Sequence, residues 1–367
     1  MKRFKALDVF RGITICLMII VNTPGDYQYT FGPLLHANWH GFTPTDLVFP
    51  SFLFAVGTAF AFVKERWATK SLSDVFGKIL KRTLLIFLLG YLMYWFPFVK
   101  WDESGALTSF PFGETRILGV LQRIALCYFA GALLVYYFSK RNLILISGIL
   151  LFGYWALLAG FGDYTLEGNF ARTFDLWVFG PNHLYHGDGL PFDPEGLLST
   201  LPAIVNVLAG YLAGHYIIKE GLNYERLAKL LIAGALCLGG AYLWDLLLPI
   251  NKKLWTSSYV LLTIGLDLII LSLIIYTTDF ITKKWEYNFF EIFGKNSLAI
   301  YLLSEYLAIT LLFIRVDGEK SLFRFIYESG FEWIGPYWGS LVFALVFMLV
   351  CWSVGWMLDR KKIYIRV

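Results

Sequence analysis

Long apolar runs recur along the whole chain, and short polar segments separate them. A helix needs about 20 mostly apolar residues to cross the hydrocarbon core of a bilayer. Ten segments meet this requirement, at residues 7–22, 44–63, 79–96, 117–138, 143–160, 197–217, 228–248, 257–278, 291–314 and 336–358. The pattern therefore predicts an all-α, polytopic integral membrane helix bundle with about ten transmembrane helices.

Positive charge alternates between the segments that connect these runs. If the N-terminus is cytoplasmic, the inner segments contain 21 Lys and Arg residues and the outer segments contain 8. Cytoplasmic loops of membrane proteins carry an excess of Lys and Arg, so we expect both termini to be cytoplasmic. The first apolar run lacks a small-residue cleavage site, so we interpret residues 7–22 as the first transmembrane helix rather than a signal peptide.

The composition supports a membrane protein. Apolar residues make up 57% of the 367 residues and charged residues 16%, against roughly 25% charged residues in soluble domains. The net charge of +4 comes from short basic blocks between apolar runs, so nucleic-acid binding is not expected. Cys16, Cys127, Cys237 and Cys351 lie in apolar runs without paired spacing, which predicts neither disulfides nor a metal site. Without a linker or repeat, residues 1–367 are predicted to form one domain.

One polar stretch, GPLLHANWHGFTPTDLVFP at residues 32–50, interrupts the apolar pattern before the second helix. The predicted topology places it at the outer membrane surface with other outer segments. The polar side chains expected there are Asn22, Asp26, His36, His40, Asp46, His183, His186, Asp188, Asp193, Glu195, Asn251 and Lys252. Solvation explains most polar loop residues, but His36 and Asp46 flank a helix entry. Asp46 therefore has two interpretations, as a helix cap or as a functional carboxylate.

Three ionisable residues, Arg123, Asp267 and Glu305, fall inside the apolar runs. Such groups are costly in a bilayer and usually pair with one another or line a polar cavity. Two alternatives are therefore open for Arg123: an ion pair with Asp267 or Glu305, or a contact with a ligand.

The predicted cytoplasmic side carries three short motifs, FRG at 10–12, KRT at 81–83 and GKNS at 294–297. Cations and helix N-termini attract phosphate groups. A phosphorylated compound bound from the cytoplasm and a hydrophilic compound bound from outside would fit this layout. It suits either a transporter or a transferase that works across the bilayer.

Several blocks resemble the transmembrane acetyltransferases, a family that includes heparan-α-glucosaminide N-acetyltransferase and its bacterial relatives. The similar blocks are LDVFRGITICLMIIVN, HANWHGFTPTDLVFPSFLFAVG, RILGVLQRIALCYF, FDPEGLLSTLPAIVNVLAGYLAG, NKKLWTSSYVLLT and GKNSLAIYLLSE. The resemblance implies transfer of an acetyl group from cytoplasmic acetyl-CoA to the amine of a glucosamine-type sugar on the outer side. It also implies location in a bacterial cytoplasmic membrane, and it is compatible with a homodimer.

The resemblance assigns the catalytic histidine of the family to His36 and an upstream asparagine to Asn22. His40 stands where the family has an asparagine, so it is an alternative candidate for the histidine's role. An imidazole with a pKa near 6.5 can take a proton from the sugar amine, or can itself carry the acetyl group. Asn22 would stabilise the developing oxyanion. Asp46 would orient His36, contact a sugar hydroxyl or cap the helix.

The outer blocks DPEG and NKKLW provide the expected sugar contacts, because carboxylates and amides bond hydroxyls and an indole stacks on a sugar ring. These residues are Asp193, Glu195, Asn251, Lys252 and Trp255, with His40 beside them. The expected acetyl-CoA contacts are Arg123, Lys295, Asn296 and Ser297. No metal is expected, and the partners are the amino sugar, acetyl-CoA and the lipid bilayer.

Two other activities remain open. An amino-sugar transporter would need no transfer chemistry, although the sequence lacks the inverted repeats that many transporters have. An O-acetyltransferase acting on a glycan hydroxyl would use the same histidine as its base.

Overall fold

The computed structural model describes residues 4–67, 69–281, 288–316, 318 and 320–365. They form thirteen α-helices: α1 (Lys5–Asn22), α2 (Val48–Trp67), α3 (Leu72–Trp95), α4 (Val120–Tyr137), α5 (Lys140–Phe161), α6 (Phe170–Phe179), α7 (Thr200–Glu220), α8 (Tyr224–Asp245), α9 (Ser257–Ile275), α10 (Asn288–Lys295), α11 (Ser297–Phe313), α12 (Leu322–Gly330) and α13 (Pro336–Arg360). A π-helical segment, Tyr276–Phe280, follows α9. Two small hairpins pair β1 (Val99–Trp101) with β2 (Leu107–Ser109) and β3 (Arg315–Val316) with β4 (Lys320–Ser321). The all-α prediction is confirmed.

Each of the ten predicted segments contains a helix, but not every helix is long and apolar enough to span a bilayer. In the described chain α2, α4, α5, α7, α8, α9 and α13 are long and apolar enough to cross a membrane. α10 and α11 would make an eighth span, broken by a bend of 84°. The other two segments form α1 and α3, which are 18 and 24 residues long but more highly charged.

The centre of the bundle consists of α2, α7 and α9, which are the most buried of the apolar helices, whereas α5, α8 and α13 lie at the periphery. α2 and α7 approach closely because glycines occupy their contact. A Cβ atom on Gly57 would lie 1.9 Å from the carbonyl oxygen of Val207, and one on Gly210 would lie 2.0 Å from that of Phe54. Small residues of this kind allow membrane helices to pack backbone against backbone.

Long connections meet at one end of the bundle, called the loop end below. They comprise residues 23–47, 162–199 and 246–256. The Gly41 amide donates to the Ile250 carbonyl at 2.8 Å, and the Trp39 indole donates to the Tyr164 carbonyl at 2.7 Å. These hydrogen bonds bring distant parts of the sequence together above the helices.

Candidate functional site at the loop end

Asp46 lies just before the start of α2, and its two carboxylate oxygens have different partners. One carboxylate oxygen, Oδ2, accepts hydrogen bonds from the backbone amides of Thr43 at 3.0 Å and Ala37 at 3.1 Å. Thr43 and Asp46 form a capping box on the 3₁₀ turn Pro44–Leu47 that precedes the helix. The other oxygen, Oδ1, lies 2.7 Å from Nδ1 of His36. Both interpretations of Asp46, helix cap and partner of the histidine, therefore describe its position.

The contact with Asp46 determines which nitrogen of His36 is free to react. An ionised carboxylate only accepts hydrogen bonds, so Nδ1 of His36 carries the hydrogen. Nε2 then keeps its lone pair and is the atom that can act as a base or nucleophile. The His36 side chain is 45% exposed, whereas Asp46 is fully buried. The carboxylate therefore holds an imidazole ring that is itself accessible from solvent.

Lys252 completes this group from the NKKLW turn. Its Nζ lies 3.1 Å from both ring nitrogens of His36 and 4.0 Å from Oδ1 of Asp46. Burial lowers the pKa of His36 and the Lys252 charge lowers it further, while Asp46 and Glu195 oppose the shift. The net lowering favours the neutral imidazole at neutral pH. Lys252 was predicted to contact the sugar, and its place beside His36 was not foreseen.

Asp193 and Glu195 of the DPEG block lie together on one guanidinium. Arg116 donates to Asp193 through Nε at 2.9 Å and Nη2 at 2.6 Å, and to Glu195 at 2.6 Å. This pairing holds the pKa of the Glu195 carboxyl below its usual range although burial acts against it, and Arg123 and Lys252 contribute to the lowering. Glu195 is thus ionised and close to the His36 group. Arg116 is not among the predicted site residues, and its position just before an apolar run is the one signal that the sequence carries for it.

Arg123 makes neither of the predicted ion pairs. Its guanidinium donates to the carbonyl oxygen of Gly196 at 3.0 Å and to the hydroxyl of Ser199, and it lies over the Trp255 ring at 4.8 Å. The hydroxyl of Ser51 donates to Asp267 at 2.5 Å, and Asn22 donates to Glu305 at 3.1 Å. Of the two alternatives for Arg123, the ion pair with Asp267 or Glu305 is therefore not formed, and each of the three groups has a neutral partner instead. In the described chain, Nε and Nη1 of Arg123 and Oδ2 of Asp267 are buried without a hydrogen-bond partner.

Asn251 and Trp255 shape the NKKLW turn from inside. The Asn251 side chain accepts from the Leu254 amide at 2.8 Å, and the Trp255 indole donates to Asn206 at 3.1 Å. Both side chains are fully buried, and Trp255 has a φ of 54°, a left-handed conformation that is strained for a tryptophan. The structure does not support stacking of a sugar on Trp255, because the indole has no exposed face.

Asn22 and His40, the other two predicted site residues of the loop end, have partners other than His36. Asn22, at the end of α1, is held by Glu305 of α11 rather than by the histidine. The His40 Nδ1 atom lies 3.4 Å from Nδ2 of the Asn251 side chain. Since His36 contacts the buried carboxylate and His40 contacts only an amide, the geometry favours His36 over His40 as the reactive imidazole.

A deep cavity of about 950 Å³ opens at the other end of the bundle, called the basic end below. Its cationic lining includes Arg11, Arg66, Lys78, Lys81, Arg82 and Lys295. The three motifs FRG, KRT and GKNS thus converge on one cavity. Ser297, the first residue of α11, also lines it.

The four predicted acetyl-CoA residues do not lie together. Lys295 and Ser297 line the basic cavity, whereas Arg123 is buried at the loop end of α4. The Asn296 side chain binds the backbone of the C-terminal segment, at Ile363 and Ile365. Within the described residues, no group of three His, Cys, Asp or Glu side chains is arranged to hold a metal ion.

The helices and the two ends together define a polytopic integral membrane protein with a histidine–carboxylate pair at one end and a cationic cavity at the other. The family described as "Heparan-alpha-glucosaminide N-acetyltransferase, catalytic" matches residues 3–244, and the chain belongs to this family. Proteins named heparan-alpha-glucosaminide N-acetyltransferase from Mus musculus and Homo sapiens are each 27% identical to it, over 83% and 82% of this chain. The alignments cover 54% and 52% of those proteins, so the chain spans about half the length of these relatives.

Proposed function

We propose that this protein is a transmembrane acetyltransferase that transfers the acetyl group of acetyl-CoA to the amine of a glucosamine-type sugar. The observation that carries the proposal is the His36–Asp46 pair, held within hydrogen-bond distance of Lys252 at the loop end of a family member. We propose further that the helices form one domain in a bacterial cytoplasmic membrane, with the basic end in the cytoplasm, as the distribution of Lys and Arg favours.

Acetyl-CoA would enter from the basic end. The cations of the cavity suit its phosphates, and the N-terminus of α11 at Ser297 adds a favourable dipole. The lining of α2 extends from Trp67 to Phe52, a length of about 22 Å at the rise of an α-helix. An elongated thioester could therefore place its phosphates at the basic rim and its arm along the apolar wall. Phe52, at the deep end of this apolar wall, lies on α2, the helix that begins beside Asp46.

The chemistry at the loop end would begin with the sugar amine. Nε2 of His36 would accept a proton from this amine, and Asp46 would stabilise the resulting imidazolium through Nδ1. The amine nitrogen would then attack the thioester carbon, the bond from that carbon to sulfur would break, and CoA would leave as a thiolate that takes up the second proton of the amine. The same Nε2 lone pair would serve a two-step route in which His36 carries the acetyl group.

Other loop-end groups would hold the substrate and the developing charge. Glu195, fixed by Arg116, would present its carboxylate to sugar hydroxyls, whereas the Asp193 side chain is fully buried and would hold Arg116 in place. Asn22 has one amide hydrogen directed to Glu305 and keeps a second for the oxyanion that forms on the thioester carbonyl.

The test is an acetyl-transfer assay of the purified protein with a panel of amino sugars, compared between the native chain and His36→Ala. We expect CoA release that depends on the amino sugar, and a loss of about 10²- to 10⁴-fold in kcat for His36→Ala. His40→Ala is the matched control, and it should retain most of the activity while both variants stay folded.

Product analysis decides between the alternatives. An amide product supports N-acetyl transfer, whereas an alkali-labile ester would replace it with O-acetyl transfer to a hydroxyl. Normal turnover by His36→Ala, or a complete loss in His40→Ala, would remove His36 from its proposed role.

A further inference from the structure

The amine of Lys252 occupies the position that an acceptor amine needs. Nε2 of His36 can take a proton only from a nitrogen within hydrogen-bond distance, and Nζ of Lys252 lies at 3.1 Å. The sugar amine of the proposed reaction would have to lie at a comparable distance from the same atom. In the absence of sugar, therefore, the base already faces a primary amine that belongs to the protein.

The surroundings of Lys252 hold its amine in this place. The side chain is only 17% exposed, and it projects from a turn whose neighbouring residues Asn251 and Trp255 are fully buried. Burial lowers the pKa of Lys252 against the opposing effect of Glu195 and Asp46. A lowered pKa increases the fraction of neutral amine, the form that is nucleophilic.

We infer that Lys252 is an internal acetyl acceptor, modified by the protein's own acetyl-CoA when no amino sugar is bound. The inference rests on the proposed function, because it uses the same donor and the same base. It adds a modification site next to His36 and Asp46. A bound sugar would protect Lys252 by displacing its amine from His36.

The reaction balances without any further reactant. The bond between the acetyl carbon and the sulfur of CoA breaks, and a bond from that carbon to Nζ of Lys252 forms. The Lys252 ammonium loses two protons: one passes through Nε2 of His36 to solvent, and the other ends on the CoA thiolate. The products are an amide on Lys252 and free CoA.

Acetylation of Lys252 would stop the enzyme. The amide is neutral and its nitrogen is no longer basic, and the added acetyl group would fill the space in front of His36. Unlike an acetyl group on an imidazole, an amide does not pass its acetyl group on to a sugar. Activity should therefore fall during incubation with acetyl-CoA alone, in proportion to the modified fraction of Lys252.

The experiment incubates the full-length protein with isotopically labelled acetyl-CoA, with and without glucosamine, and locates the label by peptide mass spectrometry. Lys253 is the internal control, because it is the adjacent lysine but is paired with Asp188 at 2.5 Å. We expect Lys252 to be labelled at least about a hundredfold faster than Lys253, which is the contribution of a positioned base. His36→Ala should lose this preference, and glucosamine should suppress the labelling.

Each outcome of the experiment decides the matter. Equal labelling of Lys252 and Lys253, or unchanged labelling of Lys252 in His36→Ala, would mean background acetylation and would overturn the inference. Glucosamine acetylation without any label on Lys252 would overturn the inference alone. The absence of both products would reject the proposed function together with it.

Discussion

At the scale of the residue, His36 is governed by two side chains with opposite effects. Asp46, ten residues along the chain, stabilises the protonated ring, and Lys252, 216 residues away, destabilises it. Because burial acts in the same direction as Lys252, the pKa of His36 is lowered from its usual value of 6.5. The ring therefore remains unprotonated at neutral pH and can accept a proton.

This balance predicts a pH dependence. The base works only when it is unprotonated, so activity should fall as the pH drops through the pKa of His36. The midpoint of this acidic limb of kcat/KM should lie below 6.5. In Lys252→Met the loss of the cation raises the pKa of His36, and the midpoint should move to higher pH.

The control for this prediction is Lys253→Met, which removes an adjacent cation that is paired with Asp188 instead. Its acidic midpoint should stay close to that of the native chain. A profile of Lys252→Met that coincides with the native one would show that Lys252 does not tune His36.

Residues near one another in the sequence were predictable here, and residues joined by folding were not. His36 and Asp46 belong to one short stretch at a helix entry, so their pairing could be proposed from the sequence. Lys252 and Arg116 reach the site from remote loops, and no local pattern indicates their contacts. Residue type does not show whether a side chain is exposed. The predicted contact between Trp255 and the sugar therefore fails, because the structure buries the indole completely.

At the scale of the element, apolar runs predicted helices well because a helix that satisfies its own backbone is one of the few ways for a chain to cross a bilayer. The same signal did not reveal the break between α10 and α11, since the run from Asn288 to Phe313 stays largely apolar through the bend of 84°. It also did not indicate α6 and α12, which are short helices in the connections.

Close contact between α2 and α7 predicts a sharp difference between two glycines. Gly57→Ala would place a Cβ atom 1.9 Å from the Val207 carbonyl oxygen, so the helices must separate. We expect a loss of about 1–3 kcal/mol in the free energy of unfolding, measured by thermal or denaturant unfolding in detergent. Since α2 begins beside Asp46, activity should fall as well.

Gly148→Ala in α5 is the matched control, because the Cβ atom it adds meets nothing within 4 Å apart from its own neighbouring helix backbone. Its stability should be unchanged or slightly higher, in line with the better helix propensity of alanine. Equal stability of the two variants would contradict the close packing of α2 against α7.

At the scale of the whole molecule, the histidine–carboxylate pair and the cationic cavity lie at opposite ends of the helices. α1 has Asp8 and Arg11 at the basic cavity and Asn22 at the loop end. Its 18 residues span about 27 Å at the rise of an α-helix. The count of Lys and Arg predicted which connections share a side, but the convergence of three basic motifs on one cavity required the three-dimensional fold.

The basic cavity predicts a selective effect on the cofactor. Arg82→Ala should raise the KM for acetyl-CoA about tenfold or more, since a hydrogen bond to a charged group contributes about 1.5–3 kcal/mol. The kcat should change little because Arg82 lies far from the reacting atoms. Lys229→Ala removes a lysine that is paired with Glu225, and it should leave the KM unchanged. Similar KM values for both variants would locate acetyl-CoA elsewhere.

In the proposed reaction, the acetyl group passes from acetyl-CoA at one end of the bundle to the amino sugar at the other. The most direct measurement uses sealed proteoliposomes that hold acetyl-CoA on one side of the membrane and glucosamine on the other. We expect N-acetylglucosamine on the sugar's side of the membrane and free CoA on the donor's side, and neither product with His36→Ala. Product that forms only when both substrates share one side, or unmodified glucosamine that accumulates across the membrane, would contradict it.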